Sequence, residues 1–335
     1  MPQLRKDPVL KQWVIISPER GKRPLNYKES TLPQVDNPAD CPFCEGNEQK
    51  TPPETLAFRK TGTGTNQTGW WIRVVPDRFP ILTPHGDTER EGIGMFDVMN
   101  SIGIHEVVIE TPRHDQSLHS VSIDQVKEVI WAYKQRLSDI KKNPRFKHFM
   151  IVKNSGQGAA SFSHSHSHIV ATPIIPKRVE EEIDGAREYF HYHDRCIYCD
   201  IIKQEVTQPH RVFHEDFAFV AFCPFASRFP FEILIIPKRH QTFFENIEND
   251  HVLPFANALQ ISVKKLQTIL PNLPYNFIIH TSPCSDAYKE FFHWHAEIIP
   301  KLTKVAGFEW GSGFYINPMP PEDAAKVLKE IKISE

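Results

Sequence analysis

The chain has 335 residues, of which 40% are hydrophobic and 24% charged, and a formal net charge of -2. This balance describes a folded, water-soluble protein long enough for two domains, and the near-neutral charge excludes bulk nucleic-acid binding. No apolar run is long enough to span a bilayer, and the charged, proline-containing start is unlike a signal peptide, so a cytoplasmic protein is expected.

In sequence order, Trp13-Val14-Ile15-Ile16 reads as a strand, followed by a basic turn that holds Arg20 and Arg23. Cys41-Pro42-Phe43-Cys44 comes next. Trp71 to Val75 reads as a second strand, closed by Pro76-Asp77-Arg78, and Ile104 to Thr111, rich in Val and Ile, as a third. Beyond Pro112-Arg113-His114, Ser122 caps a predicted helix, with Gln125 placed to complete a capping box. Val126, Val129, Ile130, Tyr133, Leu137 and Ile140 recur on its inner face. Another strand, Phe146 to Val152, leads through a glycine-bearing turn around Asn154 to Ser163-His164-Ser165-His166-Ser167-His168.

The second half repeats this order. Cys196-Ile197-Tyr198-Cys199 opens it, and a strand, Phe231 to Ile236, leads to His240. A helix with Leu253, Ala256, Leu259, Val263 and Leu266 inside follows. The strand Tyr275 to His280 then precedes His293-Trp294-His295. Each half thus reads C-x-x-C, strand, His, helix, strand, H-x-H, with nearly equal spacings. We expect an α+β fold built from two copies of one unit, each an antiparallel sheet with a helix packed across it. Residues 1–176 form the N-terminal half, 177–194 a charged, glutamate-rich linker, and 195–335 the C-terminal half.

In a large cytosolic protein, pairs of the form C-x-x-C are more often metal clips than disulfides. Two Cys₂His₂ sets are expected to hold Zn²⁺: Cys41, Cys44, His114 and His164, then Cys196, Cys199, His240 and His293. Four protein ligands leave no open position, so both zincs are expected to be structural. Cys223 and Cys284 read as small buried residues.

If the histidine run is a strand, His164, His166 and His168 share one face. The alternative is a His-rich surface tag, but the run is flanked by strand-like sequence. With His164 on a metal, His166 and His168 remain for chemistry. A neutral imidazole can attack phosphorus and hold the product as a phosphoramidate.

These residues resemble the histidine-triad superfamily, and more closely its galactose-1-phosphate uridylyltransferase family. The likeness covers nearly the whole sequence. It rests on Arg20-Gly21-Lys22-Arg23-Pro24, Cys41-Pro42-Phe43-Cys44, Thr51-Pro52-Pro53-Glu54, Asn154 with its glycine turn, Ser161, the histidine run and His293-Trp294-His295. It implies two histidine-triad-like halves, usually in a homodimer. It also implies ping-pong transfer of a nucleoside monophosphate between hexose 1-phosphates through a covalent nucleotidyl-His166, with UDP-glucose or ADP-glucose as the nucleotide sugar. Arg20, Arg23, Asn154 and Ser161 match positions that contact nucleotide or phosphates, and Asp77 stands where an asparagine of the nucleotide pocket is common. His168 replaces a glutamine of the uridylyltransferases and matches the hydrolases of the superfamily, where it helps the leaving group or the water. The tail 307–318 and the second C-x-x-C set look more like the branch that includes ADP-glucose phosphorylase. A phosphorylase, a hydrolase and a zinc-stabilised nucleotide-binding protein without turnover are therefore the alternatives. Glu297 stands where a third histidine of the second copy would be, which points to a structural role for that copy, with His295 either assisting a sugar phosphate or lying beside the zinc.

Overall fold

The computed structural model describes residues 3–11, 13–16, 37–156, 159–160 and 162–333. Arg20, Arg23 and Ser161 lie outside them. In order the strands are β1 (Gln3–Lys6), β2 (Trp13–Ile16), β3 (Leu56–Arg59), β4 (Trp70–Pro76), β5 (Arg90–Ile93), β6 (Phe96–Met99), β7 (Ile104–Ile109), β8 (His148–Ser155), β9 (His166–Thr172), β10 (Val212–Glu215), β11 (Phe219–Phe222), β12 (Ile233–Pro237), β13 (Tyr275–His280), β14 (His295–Pro300) and β15 (Tyr315–Asn317). The helices are α1 (Ile123–Ile140), α2 (Lys177–His193), α3 (Ile197–Thr207), α4 (Val252–Ile269), α5 (Gly307–Ser312) and α6 (Pro321–Glu330).

Ten strands form one antiparallel sheet in the order β10-β11-β12-β14-β13-β8-β9-β7-β4-β3. Read outward from its centre, β8-β9-β7-β4-β3 and β13-β14-β12-β11-β10 are the same arrangement twice. The duplicated unit is therefore present, but its two sheets are not separate. They join where β8 pairs with β13, from Tyr275 opposite Ser155 to His280 opposite Met150. Each strand lies at the free edge of its own half, so pairing satisfies two rows of backbone groups at once. The β1-β2-β15 sheet ties the N-terminal strands to the C-terminal segment.

α1 and α4 cover one face of the sheet. Val126, Val129, Ile130, Tyr133, Leu137 and Ile140 of α1 are all buried, as their spacing predicts. Ser122 caps α1 by accepting from the Gln125 N–H at 3.2 Å. The Gln125 side chain does not close a capping box. Its amide donates instead to the carbonyls of Trp71 (2.6 Å) and Glu110 (2.7 Å), fastening the helix to the sheet. On α4 the inner face is Val252, Phe255, Ala256, Leu259, Val263 and Leu266, whereas Leu253 is exposed. The predicted face was therefore one residue out at its start.

The segment expected as a linker is the 17-residue helix α2. Its glutamates face outward apart from Glu182, while Val179, Ile183 and Ala186 recur at helical spacing and are buried. Gly185 sits where a Cβ would lie 1.7 Å from the carbonyl oxygen of Val9, so only glycine lets the N-terminal segment pack against α2.

Behind β9 lies a buried polar network. Lys153 Nζ donates to Glu110 Oε2 (2.7 Å), Ser165 Oγ (3.0 Å) and the His166 carbonyl (3.0 Å). Ser165 donates to Glu110 Oε2 at 2.6 Å, and the Tyr133 hydroxyl bridges Glu110 (3.1 Å) and Ser167 (2.6 Å). Burial raises the Glu110 pKa and the Lys153 ammonium lowers it, for a net fall below the usual carboxylate value. Removing one member strands the other's charge. Lys153→Met is expected to lower the unfolding free energy by about 3–5 kcal/mol, and adding Glu110→Leu to recover part of that loss. Urea unfolding midpoints measure both, and an unchanged midpoint for Lys153→Met would show that the pair does not hold the strand.

Candidate active site

The pairing of β7 with β9 sets Val107 opposite His168, Val108 opposite Ser167 and Ile109 opposite His166. Val108 belongs to the core under α1, whereas Val107 and Ile109 belong to a cluster with Cys41, Phe43 and Cys44 on the other face. Strand alternation therefore turns Ser165 and Ser167 into the core and the three histidines to the opposite face.

His166 opens β9 and is 4% exposed. Its Nδ1–H donates to the His164 carbonyl at 2.7 Å, which leaves the lone pair on Nε2. Nε2 makes no hydrogen bond to the described residues. Burial, with help from Lys153 behind the strand, pushes the pKa down to about 3, so the ring is neutral at pH 7. Phe43 and Phe162 flank it, with ring centroids 5.2 and 6.3 Å away. The result is a neutral imidazole of fixed orientation.

Next to it the structure gathers Cys41, Cys44, His114 and His164. The thiols lie 3.4–3.6 Å from His Nδ1 atoms: Cys41 to His164 3.6 Å, Cys44 to His114 3.4 Å and Cys44 to His164 3.5 Å. A tetrahedral zinc with ordinary Zn–S and Zn–N bonds needs about 3.5 Å between such donors. The far nitrogens are engaged as a metal-bound imidazole requires. His164 Nε2–H donates to the Thr111 carbonyl at 2.7 Å, and His114 Nε2 lies 3.0 Å from Ser163 Oγ. Cys196, Cys199, His240 and His293 form the matching group, with Cys199 3.5 Å from His240 Nδ1 and 3.7 Å from His293 Nδ1. There His240 Nε2–H donates to the Lys289 carbonyl at 2.7 Å. Both donor sets fit a closed metal site. Cys223 is buried in the core, and Cys284 is half-buried at its margin.

Asn154 lies on β8 and its side-chain oxygen accepts from the Asn276 amide across the joint between the halves. Asp77 does not stand alone. Its Oδ1 accepts from the Phe79 N–H at 2.7 Å, and its Oδ2 lies 3.5 Å from His105 Nε2 and 3.7 Å from His168 Nδ1. His105 was not legible as a site residue, since it occurs singly in a strand. Its place diagonal to His168 across the β7–β9 ladder emerges only from the register.

The second copy diverges. His295 Nδ1–H donates to the His293 carbonyl at 3.1 Å, as His166 does to His164, but its ring is sandwiched between His280 (4.6 Å) and Tyr198 (5.0 Å). Glu182, His280 and His295 form a further buried group of possible metal ligands, assembled from three distant segments and invisible to spacing. Glu297 pairs with Arg228 and His280. A cavity of about 810 Å³ opens over this side, lined by Asp7, Arg178, Glu182, Arg228, His295 and Glu297. No helix among the described residues is long and apolar enough to cross a membrane.

The profile of the N-terminal domain of galactose-1-phosphate uridyl transferase matches residues 1–176, and that of its C-terminal domain residues 182–331. The sequence is 38% identical to an ADP-glucose phosphorylase of Arabidopsis thaliana, over 99% of this protein and 94% of that one. It is 28% identical to a galactose-1-phosphate uridylyltransferase of Thermotoga maritima, over 99% of both. A crystal structure of an Arabidopsis thaliana ADP-glucose phosphorylase with bound ADP-glucose superposes with a TM-score of 0.83 at 34% identity and full coverage of both proteins. Family profiles on both halves, the duplicated architecture and the full-length relatives agree, and the chain belongs to the galactose-1-phosphate uridyl transferase family.

Proposed function

We propose that the protein moves a nucleoside monophosphate out of a nucleotide sugar by way of His166. Nε2 attacks the phosphorus bonded to the nucleoside, a P–N bond forms, and the P–O bond to the sugar 1-phosphate breaks. An oxygen of the acceptor then attacks the same phosphorus and the P–N bond breaks. The oriented Nε2 lone pair of a neutral His166 carries this proposal, since protonation would abolish the nucleophile. His168 lies beside it, ring centroids 5.2 Å apart, within reach of the same phosphate.

The identity of 38% to an ADP-glucose phosphorylase, against 28% to a uridylyltransferase, favours ADP-glucose as donor and inorganic phosphate as acceptor, with ADP and glucose 1-phosphate as products. His168 in place of glutamine departs from the uridylyltransferases and matches the hydrolases of the superfamily, in which water is the acceptor. The second reading, transfer of uridylyl between hexose 1-phosphates, keeps the same His166 chemistry and is supported by the family profiles. Arg20, Arg23, Asn154 and Ser161 are proposed nucleotide and phosphate contacts.

Zn²⁺ is proposed for both Cys₂His₂ groups, with a structural role. When bound, the metal supplies a crosslink between the C-x-x-C segment and the strand end that bears each H-x-H motif. The first crosslink ends at His164, whose carbonyl orients His166, so the first site supports both stability and activity. The second lies beside a sandwiched His295 and supports stability. A homodimer is also proposed. Ile93, Met95, Phe96 and Val98 on the β5–β6 hairpin, with Phe79 and Ile81 before it, are exposed apolar residues, a patch of the kind that protein partners cover.

Incubation with ADP-glucose, followed by intact-mass spectrometry, is expected to show one adenylyl group on the wild-type protein and none on His166→Ala. Phosphate should discharge it as ADP, and discharge only by a hexose 1-phosphate after loading from UDP-glucose would favour the second reading. No adduct from either sugar would refute the covalent route. Metal analysis should find two zincs per protomer. Cys41→Ser should lose one zinc, stability and adduct formation together, whereas Cys196→Ser should lose one zinc and stability with adduct formation retained. Light scattering is expected to give twice the protomer mass for wild type and the single-protomer mass for Met95→Glu/Phe96→Asp, and a wild-type monomer would remove the hairpin from any dimer interface.

A further inference from the structure

Asp77, His105 and His168 meet beside His166, where β7 and β9 run together. His105 Nε2 lies 3.1 Å from His168 Nδ1. Asp77 Oδ2 is 3.5 Å from the first of these nitrogens and 3.7 Å from the second. The carboxylate cannot swing away, because Oδ1 accepts from the Phe79 N–H and the Asp77 backbone N–H donates to the His105 carbonyl at 2.9 Å.

Three such donors could hold a cation or share a proton, and the atom behind His105 decides between them. The Ile81 backbone N–H donates to His105 Nδ1 at 3.3 Å. A nitrogen that accepts carries no proton, so neutral His105 bears its proton on Nε2, the atom that faces His168 and Asp77. A metal would need the lone pair of that same Nε2, and a metal-bound imidazole has an acceptor, not a donor, behind its other nitrogen. The group is therefore built to share a proton. At 3.1 Å the contact from His105 to His168 is within hydrogen-bond range, whereas 3.5 Å to Asp77 is too long. His105 Nε2–H donates to His168 Nδ1, and the proton of His168 resides on Nε2.

We infer that His105 is a positioning residue that sets His168 in its Nε2–H tautomer, presenting an uncharged hydrogen-bond donor to phosphate oxygens held beside His166. The phosphate ligand in this statement rests on the function proposed above; the tautomer does not. Burial keeps both rings neutral, with His168 pushed down to about 4, so the donor is an imidazole and not an imidazolium. Without His105 the neighbour left to His168 Nδ1 is the Asp77 carboxylate, an acceptor. That would draw the proton to Nδ1 and turn Nε2 into a lone pair facing phosphate. Asp77 alone thus favours the wrong tautomer, and His105 reverses it.

The test is a multiple-bond ¹H–¹⁵N spectrum of the full-length protein with ¹⁵N-labelled histidine, with His168 assigned by loss of its signals in His168→Gln. Wild type should show His168 protonated at Nε2. His105→Leu should move that proton to Nδ1 and slow adenylylation of His166 on the order of 10²-fold, the effect of losing one donor to developing oxyanion charge. His105→Gln, whose amide N–H₂ can reach the Nε2 position, should keep the tautomer and most of the rate. His168 found protonated at Nδ1 in wild type, or an unchanged tautomer in His105→Leu, overturns the inference, as does a third zinc that His105→Leu removes. A wild-type protein that forms no adduct with any nucleotide sugar refutes the proposed function, while the tautomer spectrum still decides the role of His105. Should His105→Leu not fold, the wild-type and His105→Gln spectra decide it alone.

Discussion

The alternation of side chains along β9 is the constraint from which the site follows. Ser165 and Ser167 point into the core, where Lys153, Glu110 and Tyr133 hydrogen-bond them. A slip of one residue in the pairing would put imidazoles among apolar side chains and leave a buried Lys–Glu pair without its serine partners, so the register is strongly specified. Lys153 also bonds the His166 carbonyl, which holds the backbone of the proposed nucleophile from behind. The face that carries the three histidines is thereby fixed by what is buried on the opposite one.

Duplication explains both the symmetry of the sheet and its divergence. In each half a C-x-x-C segment, the histidine after an inner strand and the first histidine of H-x-H converge on one donor cluster. The residue two positions on then donates its Nδ1–H to the carbonyl of that first histidine. The same backbone geometry has two outcomes. Around His166 the described residues make no hydrogen bond to Nε2, whereas His295 is stacked between His280 and Tyr198. Where the first copy has His168 with a histidine and an aspartate beside it, the second has Glu297 paired with Arg228. In the first copy a carboxylate lies beside two histidines that burial keeps neutral, whereas the second pairs its carboxylate with an arginine. The two halves share one sheet, so the N-terminal half is braced by β13 from Met150 to Ser155 of β8.

The residues alone determined the features that depend on local periodicity and on ligand chemistry. The 3.6-residue spacing of α1, the alternation that groups His164, His166 and His168, and two Cys₂His₂ sets in parallel order are all of this kind. Each rests on residues close in sequence, or on residue types with few other uses in that pattern. Tertiary structure alone decided the rest. The continuity of the sheet depends on backbone groups of β8 and β13, which carry no side-chain signature. Gln125 bonds two distant carbonyls instead of capping because the sheet brings Trp71 and Glu110 within reach. The proton on His168 is set through His105 by the backbone N–H of Ile81, and a main-chain donor from a distant loop leaves no trace in the identity of any residue.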